Sequence, residues 1–131
     1  MENLLRAALI EWLRNDAALG ALNAIEEESP LSVSSPWLGI AASASVDWST
    51  KDRFGREIRI AFELATRGDD PAADAALIAA IEQRIEALPR PQSGFDITSV
   101  RFLRMRAERR ANNQRAVLLE YRFRLLATPT E

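Results

Sequence analysis

The sequence predicts an α+β fold: a largely antiparallel sheet of four to five strands with two helices packed on one face, in the order α-(β)-β-β-α-β-β. Three observations carry this expectation. Residues 37–66 hold two long alternating runs joined by a polar loop, and residues 115–127 hold another. A period of two marks a half-buried strand. Residues 3–15 and 71–88 instead repeat apolar side chains at three- and four-residue spacing, which marks amphipathic helices. The 131 residues are read as one domain spanning 1–131, long enough to bury a core without covalent staples.

Taken in order, the helix over 3–15 places Leu5, Leu9, Trp12 and Leu13 on one stripe with Ala8 between, while Glu2, Arg6, Glu11 and Arg14 lie off it. Asn15-Asp16 and Gly20 punctuate its end, and Asp16 to Leu19 are able to start one further short turn. Asn23 to Glu28 read as a short edge strand ending in three glutamates. Ser29 to Pro36 is a loop by composition and a candidate to become ordered on assembly.

In the run from Trp37, the residues Leu38, Ile40, Ala42, Ala44, Val46 and Trp48 share the inward face. Ile58, Ile60, Phe62 and Leu64 share it in the next run, with Glu57, Arg59, Ala61 and Glu63 opposite. An antiparallel register with Trp48 opposite Ile58 sets Ala44 against Phe62 and Ala42 against Leu64. It also makes Asp47 and Arg59 an opposite-charge cross-strand pair. The joining loop, Ser49-Thr50-Lys51-Asp52-Arg53-Phe54-Gly55, carries an aromatic and both signs of charge. It is too long for a two-residue turn and reads as a contact device, with a floppy hairpin tip as the alternative.

Asp70 followed by Pro71 reads as a helix start. The helix over 71–88 buries Leu77, Ile81, Ile85 and Leu88, with Ile78 flanking and Asp74, Glu82 and Glu86 facing water. Pro89 and Pro91 stop it. A third long strand runs from Gly94 to about Arg109, then a turn over 111–114, then the strand 115–127 with Val117, Leu119, Tyr121, Phe123 and Leu125 inward. The parity of apolar positions breaks between Phe102 and Leu103. This implies either a bulge near Arg101–Leu103 or a strand covered on both faces.

Composition excludes several functions. There is no cysteine and no histidine. Disulfides, thiolate nucleophiles, histidine bases and the commonest metal ligands are therefore unavailable. Apolar runs are too short for a membrane span, and the N-terminus lacks the marks of a secretory signal, so the chain is read as soluble and made in the cytosol. The net charge of −2 is too mild to imply nucleic acid or membrane. Its distribution is uneven: −5 over residues 1–50, −1 over 51–90 and +4 over 91–131. Such a split suits pairing within one fold or between subunits arranged head to tail. Of 17 basic residues only Lys51 is lysine; arginine favours planar, shared contacts, although a GC-rich genome produces the same bias.

Catalytic and metal constellations are weak. Asp69-Asp70 is explained by helix capping, and Glu26-Glu27-Glu28 do not converge on one point. Ser49 beside Lys51 lacks the desolvation that a serine–lysine dyad requires. No glycine-rich phosphate loop appears. No catalytic residue, metal site or cofactor is expected. Candidate interface residues are Trp37, Asp47, Ser49, Thr50, Lys51, Arg53 and Phe54, together with the basic patch Arg101, Arg104, Arg106, Arg109 and Arg110, which Arg115 extends. Nucleic acid is disfavoured for that patch by the absence of interleaved aromatics and a pI of about 5.3; an acidic partner subunit fits better. Trp37 is off the inward parity, either an interface aromatic or a cover for the sheet end.

The Asp47-Trp48-Ser49-Thr50-Lys51 stretch, Gly55-Arg56-Glu57, the alanine-rich helix ending in Leu88-Pro89, Val100-Arg101-Phe102 and the closing Tyr121-Arg122-Phe123-Arg124 together resemble the DUF3168 family. These are tail completion or tail terminator proteins of long-tailed phages and gene transfer agents. The resemblance spans nearly the whole chain. It implies a structural virion protein: a hexameric ring on the last ring of the tail tube, which stops tube growth, joins the tube to the head or neck, and leaves a channel open to DNA as passing cargo. The implied partners are copies of the chain, the tail tube protein and head–tail connector proteins, with no membrane. The implied location is the bacterial cytoplasm during assembly and then the head–tail junction of the particle. A head-side joining (neck) protein is the alternative. A small ligand-binding or hydrolase domain is the alternative from another class, and no convergent polar set supports it.

Overall fold

The structure is a computed structural model that describes residues 1–30 and 32–129; Leu31, inside the predicted 29–36 loop, and Thr130–Glu131 lie outside the described residues. Its elements are α1 (Glu2–Arg14), β1 (Ala24–Glu26), β2 (Trp37–Asp47), β3 (Gly55–Arg67), α2 (Ala75–Glu86), β4 (Pro91–Gln92), β5 (Phe95–Arg109) and β6 (Gln114–Ala127). The strands form one sheet in the order β1-β2-β3-β6-β5-β4. Every pairing is antiparallel except β1 with β2. The α+β expectation therefore holds, but with six strands rather than four to five. The missed strand, β4, is a two-residue return of the chain onto β5, and Pro91 masks it in the sequence.

The core lies between the helices and one sheet face. Leu5, Leu9 and Leu13 of α1 and Ile81 and Ile85 of α2 form one cluster with Ile58, Ile60, Phe62 and Leu64 of β3 and the alternating inward residues of β6. The helices lock through a reciprocal contact: Trp12 Nε1 donates to the Arg84 carbonyl at 2.7 Å, Arg84 Nε donates to the Trp12 carbonyl at 2.9 Å, and the guanidinium stacks 3.3 Å from the indole centroid. Trp12 is thus only half buried, and Ile10 takes the stripe position expected of it. Asp16 caps a 3-10 turn over Ala17–Leu19, and Asp70 caps another over Pro71–Asp74. Asp74 does not face water as expected. It is buried, because β6 brings Arg115 Nη2 within 2.7 Å of it.

The register of β2 on β3 differs from expectation. A bulge between Ile40 and Ala42 inverts the parity of β2. Leu38 and Ile40 meet Leu64 and Phe62, but Ala44 meets Arg59 and Ala42 meets Ala61. Ser43 and Ser45, not Ala44 and Val46, take the core face, opposite Ile60 and Ile58, and Val46 is 58% exposed. Ser43 Oγ donates to Glu2 at 2.8 Å and accepts from Arg6 at 3.3 Å, so polar contacts to α1 replace apolar packing here. Asp47 pairs with Arg56 rather than Arg59. The hairpin closes at Trp48 and Gly55, where the Trp48 amide donates to the Gly55 carbonyl at 3.0 Å.

In β5 the bulge expected near 101–103 is found between Phe102 and Arg104, with a second between Ile97 and Ser99. The turn before β6 places Asn112 and Asn113 at φ of 60° and 61°, the left-handed region that asparagine tolerates best among non-glycine residues.

Candidate interaction surface

The sheet face away from the helices is unpartnered and strongly charged. Alternation on β3 and β6 sends Glu57, Arg59 and Glu63 to this face beside Glu120, Arg122 and Arg124, and after its bulge β5 adds Arg104 and Arg106. Curling of the sheet lets Leu103 and Arg104 of β5 line one trough with Ala42 and Ala44 of β2.

Most of the basic patch is satisfied within the chain. Arg104 donates to both Glu120 oxygens. The hydrogen bond from Arg104 holds the Glu120 carboxyl below its ordinary range, against an opposing effect of burial, and raises the guanidinium in turn. Arg110 Nη1 sits 2.7 Å from the buried Glu63 carboxylate and also pairs with Glu108 at 3.5 Å. Arg106 pairs with Glu108 at 3.4 Å. Arg124 and Arg122 share Glu57 at 3.0 and 3.7 Å. Arg101 and Arg109 are exposed and have no ion-pair partner among the described residues.

Arg59 extends the patch in a way the sequence reading missed. It lies directly opposite Arg122 on β6, which lies directly opposite Arg101 on β5. Three arginines thus form a transverse row over three adjacent strands. Only the register reveals it, since the three are 42 and 21 positions apart in the chain.

The hairpin loop is tied down rather than floppy. Ser49 Oγ donates to Asp47 at 2.7 Å and accepts from the Gly55 amide at 3.0 Å. Thr50 and Arg53 close a tight turn, the Thr50 amide donating to the Arg53 carbonyl at 2.9 Å and the Arg53 amide to Thr50 Oγ1 at 3.0 Å. Arg53 reaches back to the Ala127 carbonyl at 2.6 Å and Asp96 at 2.8 Å. Gly55 is obligatory: a Cβ there would stand against the Trp48 carbonyl and 2.8 Å from the Leu125 carbonyl. Lys51 and Asp52 at the tip are exposed, as is Phe54, whose ring lies 4.7 Å from the Arg56 guanidinium. Asp47 faces Arg56 at 3.9 Å.

Trp37 lies half buried on the helix-free face opposite Ala65 and packs over Gly39. It is separate from the loop, at the other end of β2. Glu26 and Glu27 pair with Arg14 and Arg6 at 2.7 and 3.8 Å, which accounts for two of the three consecutive glutamates. Among the described residues, no cluster of three acidic side chains is arranged to hold a metal ion, and no helix is long and apolar enough to cross a membrane.

A family model described as tail completion protein gp17 matches residues 7–126. No curated protein matches the chain in sequence. A solved chain from a structure titled "Virion of native gene transfer agent (GTA) particle" superposes with a TM-score of 0.80 at 22% identity, covering 95% of this chain and 96% of that one. A second solved chain superposes with a TM-score of 0.52 at 12% identity, covering 100% and 98%. These likenesses establish a shared fold.

Proposed function

The chain belongs to the tail completion protein gp17 family, structural proteins of the phage tail, and on that premise we propose that it is a tail terminator. Copies of it form a ring, a hexamer, on the last ring of a tail tube. The ring stops elongation, offers a surface to head or neck proteins and leaves a channel open for DNA. It works by shape and charge at the head–tail junction of a phage or gene-transfer-agent particle after assembly in the bacterial cytoplasm, without catalysing a reaction.

The match over residues 7–126 is the observation that carries this reading. The physical features support it. A charged sheet face left bare by the helices is a poor substrate pocket and a good contact surface. The asymmetry between an acidic first part and a basic last part suits heterologous contacts, which close into a ring when the rotation between copies allows. The loop tip at Lys51, Asp52 and Phe54 and the basic hairpin around Arg101 and Arg109 are the surfaces assigned to tube or neighbouring copies.

The test is the length and attachment of tails in cells lacking the chain. Tubes of irregular length and heads without tails are expected, with restoration by the chain supplied separately. Particles that mature with tails of normal length in its absence would overturn the proposal. Labelling the chain in particles and locating the label by electron microscopy separates the tube end from the head side.

A further inference from the structure

Both lateral edges of the sheet are open over long stretches. Among the described residues, β1 pairs with β2 from Trp37 to Gly39, and the β2 edge has no strand partner from Ile40 to Asp47. β4 pairs with β5 at Phe95 and Asp96 and the Ile97 amide donates to the Arg90 carbonyl at 2.7 Å, leaving the β5 edge without further strand pairing among the described residues from Thr98 to Arg109. An exposed edge presents unpaired amides and carbonyls, and monomeric proteins ordinarily blunt it with charge, proline or a covering segment. Between Ile40 and Asp47 the β2 edge carries neither charge nor proline, and its one blunting feature among the described residues is the bulge at Ala41. It reads Ala-Ala-Ser-Ala-Ser-Val, and most of these residues are exposed.

We infer that the free edge of β5 in one copy of this chain pairs antiparallel with the free edge of β2 in the next, so that the sheet continues from copy to copy. The inference rests on the ring reading above and names the contact that builds the ring.

Three observations support it. The first is direction. Along β2-β3-β6-β5 each strand is antiparallel to its neighbour. A rotation that continues the sheet with the same face on the same side therefore brings β5 to the next β2 antiparallel.

The second is size. The β2 edge offers small side chains, whereas β5 offers Arg101, Phe102, Leu103, Arg104, Met105 and Arg106, of which Phe102 and Met105 are exposed apolar groups. Large side chains beside small ones fill a pleated surface evenly.

The third is charge and its spacing. The Glu28 carbonyl lies 3.1 Å from the point where a Gly39 Cβ would stand, which sets Glu28 at the start of the free β2 edge. Asp47, 70% exposed and 3.9 Å from Arg56, stands at its other end, eight residues beyond Gly39. On β5, Arg101 and Arg109 are also eight residues apart and have no ion-pair partner among the described residues. Each edge contains one bulge within that span. Antiparallel pairing brings Arg109 to the Glu28 end and Arg101 to the Asp47 end; Asp47 stands on the helix side and Arg101 on the helix-free side, so the complementarity is between the ends of the two edges and not between directly opposed side chains. Strand addition of this kind draws its affinity from main-chain hydrogen bonds.

The chain has no cysteine, so engineered cysteines report the contact without background. Double variants carry one cysteine on each edge, on matching faces: Ser45→Cys with Met105→Cys, and Ala44→Cys with Arg104→Cys or with Arg106→Cys. Particles assembled with each are oxidised and their chains separated without reductant. The expected result is a ladder of linked chains for the pair in register, with single-cysteine variants unlinked. In particles of the unmodified chain, amides of residues 41–47 and 98–109 are expected to exchange hydrogen far more slowly than in the isolated chain. That measurement decides the matter for any variant that does not incorporate. Several copies per particle with no ladder and no added protection would overturn the edge pairing and leave the ring standing. One copy per particle would overturn the ring and the pairing with it.

Discussion

Asp74 Oδ2 accepts hydrogen bonds from Thr66 Oγ1 at 2.8 Å and Arg115 Nη2 at 2.7 Å. One buried carboxylate thus ties the start of α2 to β3 and β6. Arg115 also donates to the Gly68 carbonyl. Both charged side chains are almost wholly covered, at 12% and 11% exposure. Asp74→Ala would leave an uncompensated buried guanidinium, a change expected to cost about 3 kcal/mol or more. Asp74→Asn keeps a neutral acceptor and should lose roughly half as much. Urea unfolding of both variants checks this; equal losses would show that shape rather than charge matters at the site.

Tyr121 is fully buried among Phe62, Phe102 and Phe123, and its hydroxyl has no hydrogen-bond partner among the described residues. Burial pushes its pKa well up, assisted by Glu82 and Glu86. A buried hydroxyl without a partner carries its desolvation penalty uncompensated, so Tyr121→Phe should stabilise the fold by about 1 kcal/mol. A loss of similar size in denaturant unfolding would instead reveal a bound water as partner.

The hairpin loop depends on Gly55. Gly55→Ala forces a methyl group against two backbone carbonyls and the Leu126 side chain. The expected loss is about 1–3 kcal/mol. Calorimetry would measure it, and faster amide exchange at Trp48 and Thr50 would show that the loop has opened. An unchanged melting temperature would mean that the hairpin relaxes without cost.

The long strands were legible because β3 and β6 alternate without interruption, and each inward residue from Ile58 to Leu64 and from Val117 to Leu125 is buried. β2 misled because a bulge at Ala41 exchanges its faces, and Ala-Ser repeats carry too little apolar contrast to reveal it. β5 betrayed its bulge because Val100, Phe102, Leu103 and Met105 contrast sharply with the arginines between them. Residues of the surface were legible singly, but their partners were not. Arg104, Arg106 and Arg110 read as a free basic patch, whereas Glu120, Glu108 and Glu63 neutralise them from other positions in the sheet. Arg53 likewise reads as a loop contact and is spent on Ala127 and Asp96.

Glu120 gives a pH signature with a definite sign. Its carboxyl is held below the ordinary value of 4.5 by the hydrogen bond from Arg104. A carboxyl depressed in the folded state contributes stability that is present above its unfolded value and is lost as pH falls through its folded value. The difference in stability between the unmodified chain and Arg104→Met should therefore be constant from pH 7 to about 5, and shrink below about 4.5. Denaturant unfolding across that range measures it. A difference that persists at pH 3 would mean that Arg104 stabilises through packing alone.

The row Arg59, Arg122 and Arg101 sets like charges directly opposite one another on adjacent strands. Such neighbours destabilise a sheet, by about 0.2–1 kcal/mol per pair, toward the low end where side chains are solvated. Glu57, 3.7 Å from Arg122, offsets part of this and is also engaged by Arg124. Arg59→Gln or Arg101→Gln should therefore stabilise the isolated chain slightly, and added salt should stabilise the unmodified chain more than either variant. If the row meets an acidic surface in the particle, the same substitutions should reduce the yield of tailed particles. Stability and assembly would then move in opposite directions, the relation expected where function retains a locally unfavourable arrangement. Variants that are more stable and assemble at the normal yield would show that the row serves no contact.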